Sequence, residues 1–423
     1  MNLSGKKVAL LGGTLISCEI VKTAQALGME VHVLDYYPVE QSPAKQLVEH
    51  HAQISVLDDD AIVHYLKSKK IDGVITGYSD MLLPYYARIC EKAQLPCYGT
   101  EKLFKLFTNK RAWKDLCLEY GVPTALKYNA YTVLDEDEVL FPLLVKPCDG
   151  SGSHGVSVVK DKSELKKAID AARDVSKSGE VLVEQYLLGP EITVFWLFVN
   201  GRYYVTQVGN RIVKSFKNGV LPLPVGYTFP SAYMGSYMRD VAPKVRTMLA
   251  SQDVKNGMMF MQCIEQDGCA QVYDIGYRLT GSLENYLTNA VAGFDAISML
   301  LHFAVYGIMT DDSAIEERIA KAQIAPCYNV SLLMKPGTID HFCGVDSLKG
   351  QPGVITAVKA HLEDETLPPE AEGELRQIAL RVLGKVDCAE ELETAMHHVR
   401  ESVDILDSQG NSLMLSVEVN QCE

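Results

Sequence analysis

Hydrophobic and polar positions alternate along the first hundred residues in a way that predicts strands and helices in turn. Apolar runs predict strands at Val8–Leu11, Val31–Leu34 and Gly73–Thr76, with helical spacing in between. A weaker run at Ile54–Val56 predicts one more strand, third in chain order. Strands that alternate with helices imply a parallel sheet with helices on its faces, so we expect a Rossmann-like N-terminal domain.

The pattern changes after residue 100, where longer helices and hairpins replace the regular alternation. Helical spacing predicts one helix over Leu103–Tyr120, and an apolar run predicts a strand at Leu143–Pro147. Asn200-Gly201 and Asp267-Gly268 are turn signals between apolar runs, and they predict two hairpins. The remainder alternates short strands with charged helices, which indicates a small α+β segment at the C-terminal end.

Composition and charge narrow the class of protein. Lys and Arg number 40 and Asp and Glu 54, a net charge of −14, which argues against nonspecific binding to nucleic acid or to anionic membranes. No apolar run reaches the length of a membrane span, and the first residues lack the pattern of a signal peptide. The 11 cysteines are scattered without a C-x-x-C pair, as expected of reduced thiols. We expect a cytoplasmic globular protein.

A glycine-rich segment over residues 149–156 is the first candidate for chemistry. It follows the predicted strand that carries Lys146, and its main-chain amides suit phosphate oxygens, although a flexible turn is the plain alternative. A lysine fixed on the preceding strand strengthens the phosphate interpretation. The loop residues that we single out are Gly150, Ser151, Gly152, Ser153, His154 and Gly155.

Two further groups could complete a nucleotide site. The strand-like segment Glu184–Leu187 offers main-chain groups to a purine, and Glu191 could accept hydrogen bonds from ribose hydroxyls. Gln262 and Asp274 lie on opposite strands of the second predicted hairpin and offer oxygen ligands of the kind that Mg²⁺ accepts, with Arg278 close behind for an anion. Taken singly, each of these side chains could equally be a solvated polar group.

In this order, the motifs resemble the ATP-grasp superfamily, and in particular its carboxylate–amine ligases. Residues 184–191 look much like D-alanine–D-alanine ligase, and the spacing of Gln262 and Asp274 is like that of biotin carboxylase. The stretch Asp274–Gly281 is most similar to bacterial L-amino acid ligases. The motifs that carry the resemblance are Asn109-Lys110-Arg111, Gly121-Val122-Pro123-Thr124, Val145-Lys146-Pro147, residues 149–156, residues 183–191 and Asp274-Ile275-Gly276-Tyr277-Arg278.

The resemblance implies an α/β ATP-grasp fold in three parts. A Rossmann-like domain would span residues 1–104, and an ATP-grasp body residues 105–310, with a mobile lid at about 125–195. A small α+β domain would span residues 311–423. Relatives of this type are often homodimers, which adds a homodimer as one option for this chain.

It also implies a role for each candidate residue, with ATP and Mg²⁺ as cofactors. Lys110 and Lys146 would contact the ATP phosphates, and the glycine-rich loop would close over them. Arg278 would stabilise an acyl phosphate, and Arg211 would be a further cation near the γ-phosphate. The other assignments are Glu184, Gln185, Tyr186 and Leu187 for adenine, Glu191 for ribose, and Gln262 and Asp274 for Mg²⁺.

Two departures from the superfamily pattern concern the metal. Gly276 occupies a position where most members have Asn, and Gln262 replaces a carboxylate with a neutral oxygen. Both changes reduce the negative charge offered to magnesium, so the sequence leaves open whether one or two ions bind.

The resemblance favours an ATP-dependent ligase that joins a carboxylate to an amine through an acyl phosphate, with small molecules as both partners. One alternative is activation of bicarbonate or formate, as in purine-synthesis relatives, and another is an ATP-binding module without catalysis. The aromatic residues Tyr227, Phe229, Tyr233 and Tyr237 suit an organic substrate better than a one-carbon acid, unless they belong to the core.

Overall fold

A computed structural model of the chain describes residues 2–136, 138–149, 155–215 and 222–416. The described strands are β1 (Lys7–Leu11), β2 (Glu30–Asp35), β3 (His50–Gln53), β4 (Gly73–Thr76), β5 (Lys127–Tyr128), β6 (Leu143–Pro147), β7 (Ser157–Val159), β8 (Val181–Gln185), β9 (Glu191–Val199), β10 (Arg202–Lys214), β11 (Leu223–Phe229), β12 (Gly257–Gln266), β13 (Cys269–Gly276), β14 (Cys327–Leu333), β15 (Gly337–Thr338), β16 (His341–Cys343), β17 (Val354–Lys359), β18 (Thr366–Leu367), β19 (Ile378–Lys385) and β20 (Asp404–Leu406).

The helices alternate with these strands most regularly in the N-terminal part. They are α1 (Cys18–Ala26), α2 (Asp59–Lys69), α3 (Leu83–Ala93), α4 (Glu101–Thr108), α5 (Lys110–Glu119), α6 (Lys162–Val175), α7 (Met234–Ser236), α8 (Ala242–Ser251), α9 (Asn285–Ala292), α10 (Ala296–Tyr306), α11 (Ile315–Ile324), α12 (Val345–Leu348) and α13 (Leu392–Glu401). A π-helical turn, Tyr237–Val241, joins α7 to α8.

The N-terminal sheet is parallel, as the alternation of strands and helices predicts. Its strand order is β3-β2-β1-β4, so β2 and β3 lie on one side of β1 and β4 lies on the other. The carboxyl ends of β1 and β4 are therefore next to each other. The predicted strand at Ile54–Val56 is wrong, because the third strand is His50–Gln53. That strand pairs only with β2 and none of its residues is buried, so it needs no apolar run.

The lid segment has a sheet and a core of its own. Strands β5, β8, β6 and β7 form an antiparallel four-stranded sheet, against which α6 packs. The apolar cluster beneath α6 includes Leu165 and Ile169 from the helix and Val145 and Val183 from the sheet. Because this core is separate from the main one, the segment is built as an independent layer above the body.

The central sheet has eight strands in the order β13-β12-β9-β10-β11-β14-β19-β17. Its last three strands come from the C-terminal third of the chain, so that third completes the sheet of the body. The largest apolar core runs without a break from the N-terminal sheet to this one, through residues such as Val8, Phe104 and Phe198. The N-terminal domain is therefore firmly seated on the body.

The predicted single helix over Leu103–Tyr120 is wrong, since the structure divides it at Asn109. Asn109 has extended backbone angles, and its side chain accepts a hydrogen bond from the Ala112 amide at 2.9 Å, which begins a new helix. The break places Lys110 in the first turn of α5 and Lys114 one turn later.

Among the described residues, no single helix has the length and apolarity needed to cross a membrane. Only α9 and α10 taken together satisfy that test, and they meet at an angle of 98°.

Candidate active site

A buried cluster of two lysines and one glutamate lies where the lid sheet meets α5. The Lys114 ammonium is 2.5 Å and the Lys146 ammonium 2.6 Å from separate carboxylate oxygens of Glu184, and none of the three side chains is more than 7% exposed. Burial alone raises the pKa of Glu184, but the two lysines overcome this and hold that pKa below its usual value. With both lysines protonated, the cluster, which we call the lysine–glutamate triad, carries one surplus positive charge. Burial lowers the pKa of Lys114, and the Glu184 carboxylate counters this.

Lys110 links the triad to the predicted metal ligands. Its pKa is lowered by burial, while the negative charge of Asp274 raises it and the positive charge of Lys146 lowers it further. Both groups therefore lie within electrostatic reach of one ammonium, and the structure brings together the lysines and the acid that the sequence predicted. The main chain fixes this lysine as well, since its amide donates to the Cys148 carbonyl at 3.2 Å.

The predicted adenine segment is partly closed to a ligand. The amides of Gln185 and Tyr186 donate to the carbonyls of Leu126 and Pro142 at 2.8 and 2.9 Å, so these two donors serve the protein itself. The side chain of Glu184 faces the lysines of the triad rather than a purine. The adenine role of Leu187, a buried residue that follows β8, stays a prediction.

Glu191 and Arg211 lie opposite each other on β9 and β10 and form a buried ion pair. The Tyr273 hydroxyl donates to the same Glu191 oxygen at 2.8 Å. Although burial opposes it, the neighbouring Tyr273 and Glu191 hold the pKa of Arg211 above its ordinary value. Glu191, which we predicted to bind ribose, and Arg211, which we predicted to lie near the γ-phosphate, thus neutralise each other. Both roles stay predictions.

Gln262 and Asp274 fit one divalent cation. They lie directly opposite each other on β12 and β13 and are half-buried, so one amide oxygen and one carboxylate can face the same ion, with waters and phosphate oxygens completing the set. Gly276, which pairs with Phe260, adds no ligand, and a Cβ atom there would lie 2.3 Å from the Phe260 ring. A larger residue is therefore excluded by packing, which favours one ion over two.

Arg278 is fixed by the N-terminal domain. Its guanidinium makes a two-pronged ion pair with Asp80, with both contacts at 2.7 Å, and lies over the Phe260 ring at 5.1 Å. Asp80 follows β4 at the carboxyl end of the parallel sheet. The predicted anion-binding arginine is thus positioned by a residue 198 positions away in the chain.

The predicted glycine-rich loop is described only at its end. Gly150, Ser151, Gly152, Ser153 and His154 lie outside the described residues. Gly155 has a φ of +73°, a conformation that favours glycine, and a Cβ there would lie 3.1 Å from Val175 at the end of α6.

The aromatic residues predicted to cover a substrate mostly belong to the core. Phe229 and Tyr237 are fully buried, and the Tyr237 hydroxyl accepts a hydrogen bond from the Trp196 indole at 3.1 Å. Tyr227 is buried on the face of the sheet that carries Arg211, directly opposite it on β11. Phe229 and Tyr237 therefore belong to the core, whereas Tyr227 shares the face of Arg211 and Tyr233 is half-buried.

Three residues of the site were not identified from the sequence. Lys114 could have been found, because it lies four residues after Lys110 on the same helix, beside the apolar residues Trp113 and Cys117. Tyr273 directly precedes Asp274, but a buried tyrosine carries no signal of its own. Asp80 carried no signal in the sequence either, since it lies in the N-terminal domain, far along the chain from the rest of the site.

A second polar cluster lies at the far edge of the N-terminal sheet. Glu30, His32 and His50 bring three potential metal ligands together, and the two imidazole rings stack at 4.7 Å. The Lys7 ammonium is 2.8 Å from the same Glu30 oxygen that His32 contacts, and with His32 it lowers the pKa of Glu30 to about 2. Since the lysine already supplies the positive charge, we interpret this cluster as structural.

Comparison with known proteins agrees with this geometry. Residues 125–312 match the family model described as the D-ala D-ala ligase C-terminus. This segment is an ATP-grasp domain. The match includes most of the predicted site, from the lid to Arg278, and the predictions of the superfamily and of an ATP-grasp enzyme are confirmed.

The chain is also similar to curated proteins that share one name. A formate-dependent phosphoribosylglycinamide formyltransferase of Histophilus somni is 28% identical over 215 residues, which are 48% of this chain and 54% of that protein. One from Actinobacillus pleuropneumoniae is 29% identical over 217 residues, again 48% and 54%. The chain thus spans about half the length of the curated relatives that it matches.

A solved structure extends the comparison to nearly the whole chain. The L-amino acid ligase of Bacillus licheniformis superposes with a TM-score of 0.76 and 19% identity, covering 95% of this chain and 99% of that one. Identity this low shows the fold, and the predicted ATP-grasp fold is confirmed.

Proposed function

We propose that the chain is an ATP-dependent ligase that phosphorylates a carboxylate and transfers the acyl group to an amine, releasing ADP and phosphate. The observation that carries this proposal is the surplus positive charge of the lysine–glutamate triad beside Lys110 and Asp274. A buried surplus of cations is complementary to the phosphates of a nucleotide, which are otherwise expensive to desolvate.

In this proposal each group has a part in the reaction. Lys110 and Lys146 would hold the phosphates in line with the carboxylate oxygen that attacks the γ-phosphorus. Gln262 and Asp274 would hold Mg²⁺, which would supply charge neutralisation and a template for the phosphates. Arg278, kept in place by Asp80, would bind the acyl phosphate and the oxyanion that forms when an amine adds to it.

Formate is the second candidate for the acid. The curated relatives are named as formate-dependent formyltransferases, which supports the one-carbon alternative better than amino acid ligation. A homodimer stays a prediction for either substrate.

The test is phosphate release with Mg-ATP against formate, bicarbonate and the protein amino acids, each with and without an amine, followed by mass spectrometry. Release that requires an acid and an amine, with a product mass equal to their sum minus water, would establish the ligase. Nucleotide binding without any turnover would instead support the non-catalytic module.

A further inference from the structure

Lys114 is the member of the lysine–glutamate triad that a ligand does not reach. Its side chain is only 1% exposed, against 7% for that of Lys146, and the two ammonium groups contact different oxygens of the Glu184 carboxylate. The other group within hydrogen-bond distance of the Lys114 ammonium is the Thr124 hydroxyl, at 3.3 Å. Lys114 can therefore affect a bound nucleotide only through its neighbours.

Glu184 lies between the two lysines, so the charge of one lysine acts on the surroundings of the other. Burial alone raises the pKa of Glu184, and Lys114 opposes that effect more strongly than Lys146 does. Without Lys114, the carboxylate and Lys146 would form a neutral pair, and a phosphate would meet repulsion from the carboxylate together with attraction to the lysine. With Lys114 in place the carboxylate is already compensated, and the attraction prevails.

Lys114 also takes part in a chain of contacts between the lid and the body. The Thr124 hydroxyl, to which Lys114 donates, itself donates to the Val272 carbonyl at 2.7 Å. Val272 lies on β13, two residues before Asp274, and forms a bridge with Thr124, which directly precedes the lid. Loss of these contacts would disturb the site for every nucleotide, whereas loss of the ammonium charge would act most on the nucleotide that carries the most phosphate.

We propose that Lys114 is a positioning residue for ATP, which compensates Glu184 and thereby leaves the charge of Lys146 to the phosphates. The inference rests on the proposed function, because it needs a nucleotide in this site, and it adds a residue that contacts neither substrate nor metal. The net charge of the triad then sets the affinity for phosphate groups. Substitutions of Lys114 and Glu184 should accordingly not be additive.

Four proteins span the possible charges of the triad. With both lysines protonated, the wild-type triad carries one positive charge; Lys114→Met lowers that charge to zero, Glu184→Gln raises it to two, and the double variant returns it to one. Lys127→Met is the matched control, because Lys127 on β5 of the lid also pairs with an acid of α5, Asp115, but at a more exposed position. Calorimetry measures the Kd for Mg-ATP, and competition against Mg-ATP measures the Kd for AMP.

We expect Lys114→Met to weaken the binding of Mg-ATP at least about tenfold, and that of AMP by a smaller factor, because AMP carries fewer charges. The double variant should bind Mg-ATP within about threefold of wild type, and thus more tightly than Lys114→Met does. Glu184→Gln should bind Mg-ATP at least as tightly as wild type. The control should stay within about twofold of wild type, since an exposed ion pair contributes little.

The inference would be overturned if Lys114→Met bound Mg-ATP like wild type, or if it lost affinity for ATP and AMP by the same factor. A double variant that binds Mg-ATP no more tightly than Lys114→Met would also overturn it, because contacts rather than charge would then explain both losses. Circular dichroism identifies the folded variants. If Lys114→Met does not fold, Glu184→Gln carries the test, and an affinity for Mg-ATP below that of wild type overturns the inference. Wild type that binds no Mg-ATP would instead contradict the proposed function.

Discussion

Glu184 is the residue whose loss should most disturb the triad. Glu184→Gln removes the one negative charge and leaves Lys114 and Lys146 facing a neutral amide, so the buried charge rises from one to two. Leaving a buried charge without its partner costs about 3–5 kcal/mol. Lys114→Met removes a charge but keeps the pair between Lys146 and Glu184, so we expect a loss of about 1.5–3 kcal/mol, that of a charged hydrogen bond.

Equilibrium unfolding in urea, followed by tryptophan fluorescence, measures both losses. The chain has two tryptophans, and the buried Trp113 lies next to Lys114 on α5. Glu184→Gln should unfold at a lower urea concentration than Lys114→Met, and wild type at the highest. Saturating ATP should narrow the gap for Glu184→Gln, because phosphate oxygens replace the missing negative charge.

The order in which the two variants unfold in urea tests the charge that we assign to the triad. If Lys114→Met proves the less stable of the two, or if Glu184→Gln unfolds with the wild type, the triad does not hold the surplus charge that we assign to it.

Two further predictions concern catalysis and the main chain. Lys146→Ala should weaken ATP binding at least about tenfold, whereas Arg278→Ala should leave it unchanged and slow amide formation at least about 100-fold; equal losses of nucleotide affinity in calorimetry would contradict the assignment. Gly189→Ala should lower the free energy of unfolding by about 1–3 kcal/mol and raise the KM for ATP. Gly189 has a φ of +154°, and a Cβ there would lie 2.1 Å from the Glu265 carbonyl oxygen. An unchanged free energy of unfolding would show that the turn relaxes.

The parts of the site that could be predicted are those in which spacing along one element fixes the geometry. Gln262 and Asp274 flank a two-residue turn signal, so the hairpin brings them close together, and a bulge at Tyr273 then places Asp274 directly opposite Gln262. Lys146 ends a short apolar run, and its strand fixes its direction. In each case a local pattern decides the position of the side chain.

The parts that could not be predicted depend on contacts between distant segments. Asp80 and Arg278 meet only because the N-terminal domain is seated on the body, and no local pattern encodes that arrangement. Glu184 was predicted near adenine, but its surroundings are set by α5, whose separate start at Asn109 was itself missed. The strand His50–Gln53 was missed because an edge strand needs no apolar run.

The contact between Gly276 and Phe260 constrains how this site can change by mutation. Any residue with a Cβ at position 276 would collide with the ring, while shrinking the ring alone removes the surface under Arg278. Neither single substitution is neutral, so a path to a second carboxamide ligand at position 276 must begin with a smaller residue at position 260. The two positions should therefore change together across descendants of this sequence, and a library that randomises both at once should reach variants that stepwise selection misses.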